Sequence, residues 1–217
     1  MSIFKFRLFG FPIDVQGGFL LFVGLVALQD LEAQAPIASI VSFVAVLTLS
    51  LLVHELGHAF AARSLRVPVM GIHLAFMHGA AMHQRTTHPK QLAISLAGPL
   101  AGFALAGVAL LGMLGLGQAQ LGAGGAAHVL EQVVYLNLVY GVFNLLPMLP
   151  LDGGNALRSA ISWGTNARTG LRVVGFLGAA LALALVVYAF SVGFLFLAAL
   201  AGFLVWTNVQ AIQASAR

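Results

Sequence analysis

The chain has 217 residues, of which 60% are hydrophobic and only 7% charged, with a formal net charge of +4. Soluble domains carry about a quarter charged residues, so this composition is that of a multi-spanning membrane protein. The absence of cysteine excludes disulfides, thiolate metal sites and cysteine nucleophiles together, and no basic helix or nucleic-acid module supports DNA or RNA binding.

The expected fold class is an all-α polytopic membrane protein, one domain over residues 1–217, with about six spans of roughly 17–25 residues each. Lys5, Arg7, Gly10, Pro12 and Asp14 interrupt the first fifteen residues, which therefore do not read as a cleavable signal peptide. A short first span covers about 15–31. The second, about 37–65, carries His54-Glu55-Leu56-Gly57-His58 near its basic end at Arg63. Residues 67–90 alternate weakly and are broken by Pro68, Gly71 and Gly79. A short membrane-associated β segment or a re-entrant loop is expected there, packed on protein or lining a wet cavity, because open strand edges cannot face lipid.

The third span runs over about 92–117, with Gly98, Gly102 and Gly107 read as close-packing positions. The fourth covers about 128–146 and stops at Pro147 and Pro150. Residues 171–190 and 192–212 make the fifth and sixth. A single helix over Val173–Trp206 would be about 51 Å long, against a hydrocarbon core of about 30 Å, so a hairpin is expected. Lys and Arg occur before span one, between spans two and three, between spans four and five, and at Arg217; the alternate loops have none. That asymmetry puts both termini in the cytoplasm.

Two imidazoles four residues apart on a helix lie on one face, one turn apart, as Zn²⁺ ligation needs. Ionisable groups are costly at membrane depth, so this cluster marks a functional site. A catalytic zinc takes three protein ligands and keeps one position for water. With no Cys, the third ligand is a His or one of Asp14, Asp30, Glu32, Glu55, Glu131 and Asp152. Asp30, Glu32 and Glu131 belong to the far side of the membrane. Glu55 points about 100° around the helix from His54 and suits a general base better than a ligand. Of the remaining Asp14 and Asp152, Asp152 is preferred: Pro147 and Pro150 break the fourth span before it, and Gly153-Gly154 lets the chain turn.

These residues resemble the site-2 protease family of intramembrane zinc metalloproteases. The resemblance rests on His54-Glu-Leu-Gly-His58 and on Asn144-Leu-Leu-Pro-Met-Leu-Pro-Leu-Asp152-Gly-Gly, with support from Ser95-Leu-Ala-Gly98-Pro99-Leu-Ala-Gly102 and the Phe-Gly-Phe-Pro-Ile lead-in. It implies one Zn²⁺ per chain held by His54, His58 and Asp152, with Glu55 activating water and Asn144 steadying the substrate carbonyl. It places the catalytic core at about 37–158 and implies, as substrate, a single-span membrane protein or a membrane-remnant peptide. The implied location is the cell membrane, the lipid bilayer being the other partner. Two positions depart from the family pattern: Asn155 stands where a basic residue is common, and Met77-His78-Gly79 where Phe-Gly-Gly is usual.

Four rival readings compete with this one. A non-haem iron oxygenase shares two His and a carboxylate but leaves Glu55 without a role. A di-iron bundle needs a second Glu-x-x-His that the chain lacks. A metal transporter is motivated by His73, His78, His83 and His88, whose spacing of five gathers them on no regular element; they read as interfacial histidines facing water. A helix-binding pseudoprotease is disfavoured because all four catalytic positions are filled.

Overall fold

The computed structural model describes residues 2–32, 34–75, 78–115 and 125–216. The end of the expected third span at 116–117, the loop 118–124, Met77 and Arg217 lie outside the described residues. The element order is β1 (Ser2–Leu8), β2 (Phe11–Gln16), α1 (Gly17–Glu32), α2 (Ile37–Ser64), β3 (Val69–Ala75), β4 (His78–His83), α3 (His88–Gly115), α4 (Ala126–Asn144), α5 (Asp152–Gly164), α6 (Ala167–Ser191) and α7 (Leu195–Ala216).

Among the described residues, five helices are long and apolar enough to cross a membrane: α2, α3, α4, α6 and α7. The expected first span is α1, whose 16 residues reach about 24 Å and fall short of the hydrocarbon core. The chain is an integral membrane protein, helical apart from one small sheet. Its contacts divide it into two compact units, Met1–Arg85 with Ala97–Gly141, and Thr86–Leu96 with Val142–Arg217.

In the first unit, β1 and β2 form a hairpin that the sequence reading did not anticipate. Phe9 and Gly10 both have positive φ, 51° and 86°, the conformation a two-residue turn needs to match the twist of its strands. The sheet order is β1-β2-β3-β4, with β2 parallel to β3 and the other pairs antiparallel. The expected strands after α2 are therefore one half of a four-stranded sheet.

Alternation sorts the sheet's two faces. Phe6, Leu8, Phe11, Ile13, Val15, Ile72 and Leu74 form a core with Leu51, Leu56 and Ala59 of α2. The opposite face carries Lys5, Arg7, Asp14 and His73 around an open cavity of about 380 Å³. Arg63 ties the hairpin to the end of α2, donating to the Phe9 carbonyl at 3.0 Å with its guanidinium over the rings of both Phe11 and Phe60.

Higher on α2, buried Asn137 of α4 donates to Ser50 Oγ and to the Val133 carbonyl, both at 2.8 Å. Asn137→Ala is expected to lower stability by about 1 kcal/mol, the size of an interhelical polar contact in a membrane protein; thermal unfolding in detergent measures it.

The second unit is built on the α6–α7 hairpin, turned by Gly193 at φ 71°. Small residues let the two helices approach. A Cβ on Gly175 would sit 2.9 Å from Ile212 Cγ1 and 3.1 Å from the Asn208 carbonyl oxygen. The expected hairpin is therefore present, its ends one to four residues from the predicted boundaries. Between α4 and α6 lies α5, a short amphipathic helix where a loop was expected. Its buried face is Gly153, Gly154, Ala156, Ser159 and Ser162, with none of the large apolar residues that would announce a helix.

Candidate metal centre

Helix α2 buries its histidines and the acid between them: His54 and Glu55 are each 2% exposed and His58 is 7% exposed. One helical turn separates the two imidazole-bearing residues by about 6 Å along the axis. Their rings nevertheless converge, edge to face with centroids 4.8 Å apart and Nε2 atoms 3.1 Å apart. Tetrahedral ligands about 2.05 Å from a zinc ion stand about 3.3 Å from each other, so the two nitrogens are spaced to share one ion.

The space around that pair is made by glycine. A Cβ on Gly98 of α3 would overlap the His58 ring at Nε2 and Cε1 and lie 2.8 Å from His54 Nε2. The α3 backbone comes so close because Gly57 faces it: a Cβ there would sit 2.6 Å from the Ala97 carbonyl oxygen and 2.7 Å from Ala101 Cβ. The Gly inside His-Glu-Leu-Gly-His and the Gly of the Ser-Leu-Ala-Gly-Pro segment are thus reciprocal contacts. Gly98 is the close-packing position expected from sequence, but what it packs against is the imidazole pair. Gly102 does pack tightly, its Cβ position lying 3.2 Å from Asn137 Oδ1, whereas Gly107 has nothing within 4 Å. Tyr140 of α4, not singled out from sequence, lies edge-on to His54 with centroids 4.8 Å apart and fixes the ring's orientation.

In the second unit, Asn144 is the last residue of α4 and is buried at 8% exposure. Asp152 opens α5, where a carboxylate is favoured by the helix dipole. Glycine at 153 and 154 lets this first turn lie against the carbonyls of Leu145 and Met148, which any Cβ would overlap. Asn155, in place of a common basic residue, donates to the carbonyls of Pro150 at 2.9 Å and Leu151 at 3.2 Å, so it braces the loop before Asp152.

His54 and His58 of the first unit offer two imidazole nitrogens to a metal ion, and Asp152 of the second offers a carboxylate. Two imidazoles and a carboxylate are a ligand set of catalytic zinc, leaving one coordination position open. Asp14, the alternative third ligand, is engaged on the sheet, its Oδ2 lying 3.4 Å from His73 Nδ1 while Ser2 Oγ donates to its Oδ1. His83 Nδ1 lies 2.8 Å from the Gln84 carbonyl oxygen. Among the described residues, His73, His83 and His88 join no cluster of three possible metal ligands.

The fold and the imidazole pair define a polytopic membrane protein with a buried His-x-x-x-His pair, a candidate metal site, on a helix long enough to span. Residues 108–188 match the family model of Peptidase family M50. A zinc metalloprotease of Methanocaldococcus jannaschii is 30% identical over 187 residues, covering 86% of this chain and 53% of that protein. The chain therefore spans about half the length of this curated relative. The solved structure of a site-2 protease from the same organism superposes with a TM-score of 0.75 at 26% identity, covering 98% of this chain and 95% of that one. By these matches the chain is similar to peptidase family M50, the site-2 proteases.

Proposed function

We propose that this chain is an intramembrane zinc metalloprotease that hydrolyses peptide bonds within or beside the spanning segments of other membrane proteins. The observation that carries the reading is the buried histidine pair on α2, its Nε2 atoms 3.1 Å apart with Glu55 between them in sequence. The similarity to peptidase family M50 supports it. His54, His58 and Asp152 hold the ion, one per chain. When bound, zinc supplies a Lewis acid that polarises a carbonyl and lets a water lose its proton near neutral pH.

The protein's own groups do the rest. Glu55 takes the proton of the attacking water and returns it to the leaving amine. The Asn144 amide donates to the substrate carbonyl oxygen as negative charge builds there. Tyr140 and Gly98 keep the His54 and His58 rings in register. A helical substrate has to unwind first, because its carbonyls are otherwise occupied by helix hydrogen bonds. The substrate class is a single-span membrane protein or the remnant left by an earlier cut. Residues 1–217 act as one catalytic domain, and the basic loops place both termini in the cytoplasm.

The purified chain is expected to carry one zinc, with His54→Ala, His58→Ala and Asp152→Ala each losing most of it by elemental analysis. Chelation should stop cleavage of a single-span substrate in proteoliposomes, and added zinc should restore it. Full zinc occupancy in the Asp152→Ala protein would remove Asp152 from the ligand set. Cleavage that survives complete metal removal would end the metalloprotease reading.

A further inference from the structure

Leu145–Leu151 joins α4 to the acid-bearing end of α5, and its backbone is poor in donors because Pro147 and Pro150 have no N–H. Met148 and Leu149 are nonetheless buried, at 2% and 7% exposure. A buried backbone amide needs a partner, and among the described residues no strand runs alongside to provide one. The partner comes from α7. Asn208, 0% exposed, accepts a hydrogen bond from the Leu149 N–H at 3.0 Å and donates to the Leu149 carbonyl at 2.8 Å.

The second amide proton goes to the Leu204 carbonyl, 2.8 Å away and one turn back on the same helix. Both donors and the acceptor are therefore used, and the carboxamide grips one residue of the loop as a strand neighbour would. Gly178 of α6 makes room: a Cβ there would overlap Asn208 Oδ1, lie 2.7 Å from its Cγ and 3.1 Å from Met148 Cα. On the far side of the loop Asn155 braces Pro150 and Leu151. Asp152 follows three residues after the gripped one.

We propose that Asn208 is a positioning residue for the metal centre: its carboxamide fixes the loop at Leu149 so that Asp152 is already aimed for ligation before the ion arrives. The proposal rests on Asp152 being a zinc ligand. A preset ligand binds metal more tightly than one that must be ordered by it, because the ordering cost is met in folding.

The test is a zinc titration of the full chain in nanodiscs, in competition with a chromophoric chelator. Asn208→Ala and Gly178→Ala are expected to weaken zinc binding by about 10–100-fold, the effect of losing groups that orient ligands. Saturating zinc should return kcat toward the wild-type value. Thr207→Ala, on an exposed hydroxyl bonded only to its own helix at Phe203, should leave the affinity unchanged. Unchanged zinc affinity in folded Asn208→Ala protein, even with a lowered melting temperature, would assign Asn208 to helix packing alone and overturn the proposal.

Hydrogen exchange on the wild type provides a measurement that does not depend on a variant folding. The amides of Met148, Leu149 and Leu151 should be equally protected with and without zinc; protection that appears only on adding zinc would mean that the ion orders the loop. Wild-type protein that takes up no zinc would instead defeat the protease reading beneath.

Discussion

Glu55→Gln should leave zinc stoichiometry intact while cutting cleavage of a single-span substrate by about 10²–10⁴-fold, the contribution of a positioned general base. Glutamine keeps the shape and hydrogen-bonding reach of the side chain but cannot accept the proton of the attacking water. Glu55 is buried beside His54 at 2% exposure. An acid in that position on an otherwise apolar helix is costly to retain, so a purely structural role is a poor account of it. Because Glu55 is not in the candidate ligand set, the substitution separates proton transfer from metal binding. Elemental analysis and a gel-based cleavage assay on the same preparation test both halves. A Gln protein that cuts at the wild-type rate removes Glu55 from the chemistry; one that loses zinc makes it part of the ion's support.

Legibility in the sequence followed how strongly each element's burial is written in large side chains. Helix α2 was read at 37–65 and runs over Ile37–Ser64, because Pro36 and the Arg63–Arg66 pair bracket a long, mostly apolar run. His54 and His58 were legible because their spacing is itself the geometry.

The hairpin Ser2–Gln16 was missed although its signal was present: Phe4, Phe6 and Leu8 alternate with Lys5 and Arg7, the period of a half-buried strand. Helix α5 left no such trace, since its inner face is glycine, alanine and serine. Asn137 and Asn208 were legible in principle as lone amides inside apolar spans, where a polar group has to find a partner. Which partner each finds depends on helix packing, which a single sequence does not contain. Gly98 belongs with them: its smallness was legible, and the imidazoles it faces were not.

Gly98→Ala should remove most of the bound zinc and with it most of the cleavage. The added methyl would overlap His58 at Nε2 and Cε1 and stand 2.8 Å from His54 Nε2, in the space the two nitrogens share. Relief would require α3 to retreat from α2, which gives up the close approach at Gly57 to Ala97 and Ala101. Alternatively the imidazoles would turn away, losing the convergence that brings their Nε2 atoms to 3.1 Å. Interiors this tightly packed resist both, with overpacking costing about 1–3 kcal/mol. Bound zinc is expected to fall at least 10-fold, since either escape moves a ligand. Gly107→Ala is the matched control on the same helix, with nothing within 4 Å of the new methyl, and should match wild type in zinc content and melting temperature. Full zinc occupancy in folded Gly98→Ala protein would mean that the ion sits elsewhere, and the assignment of the α2 histidines would go with it.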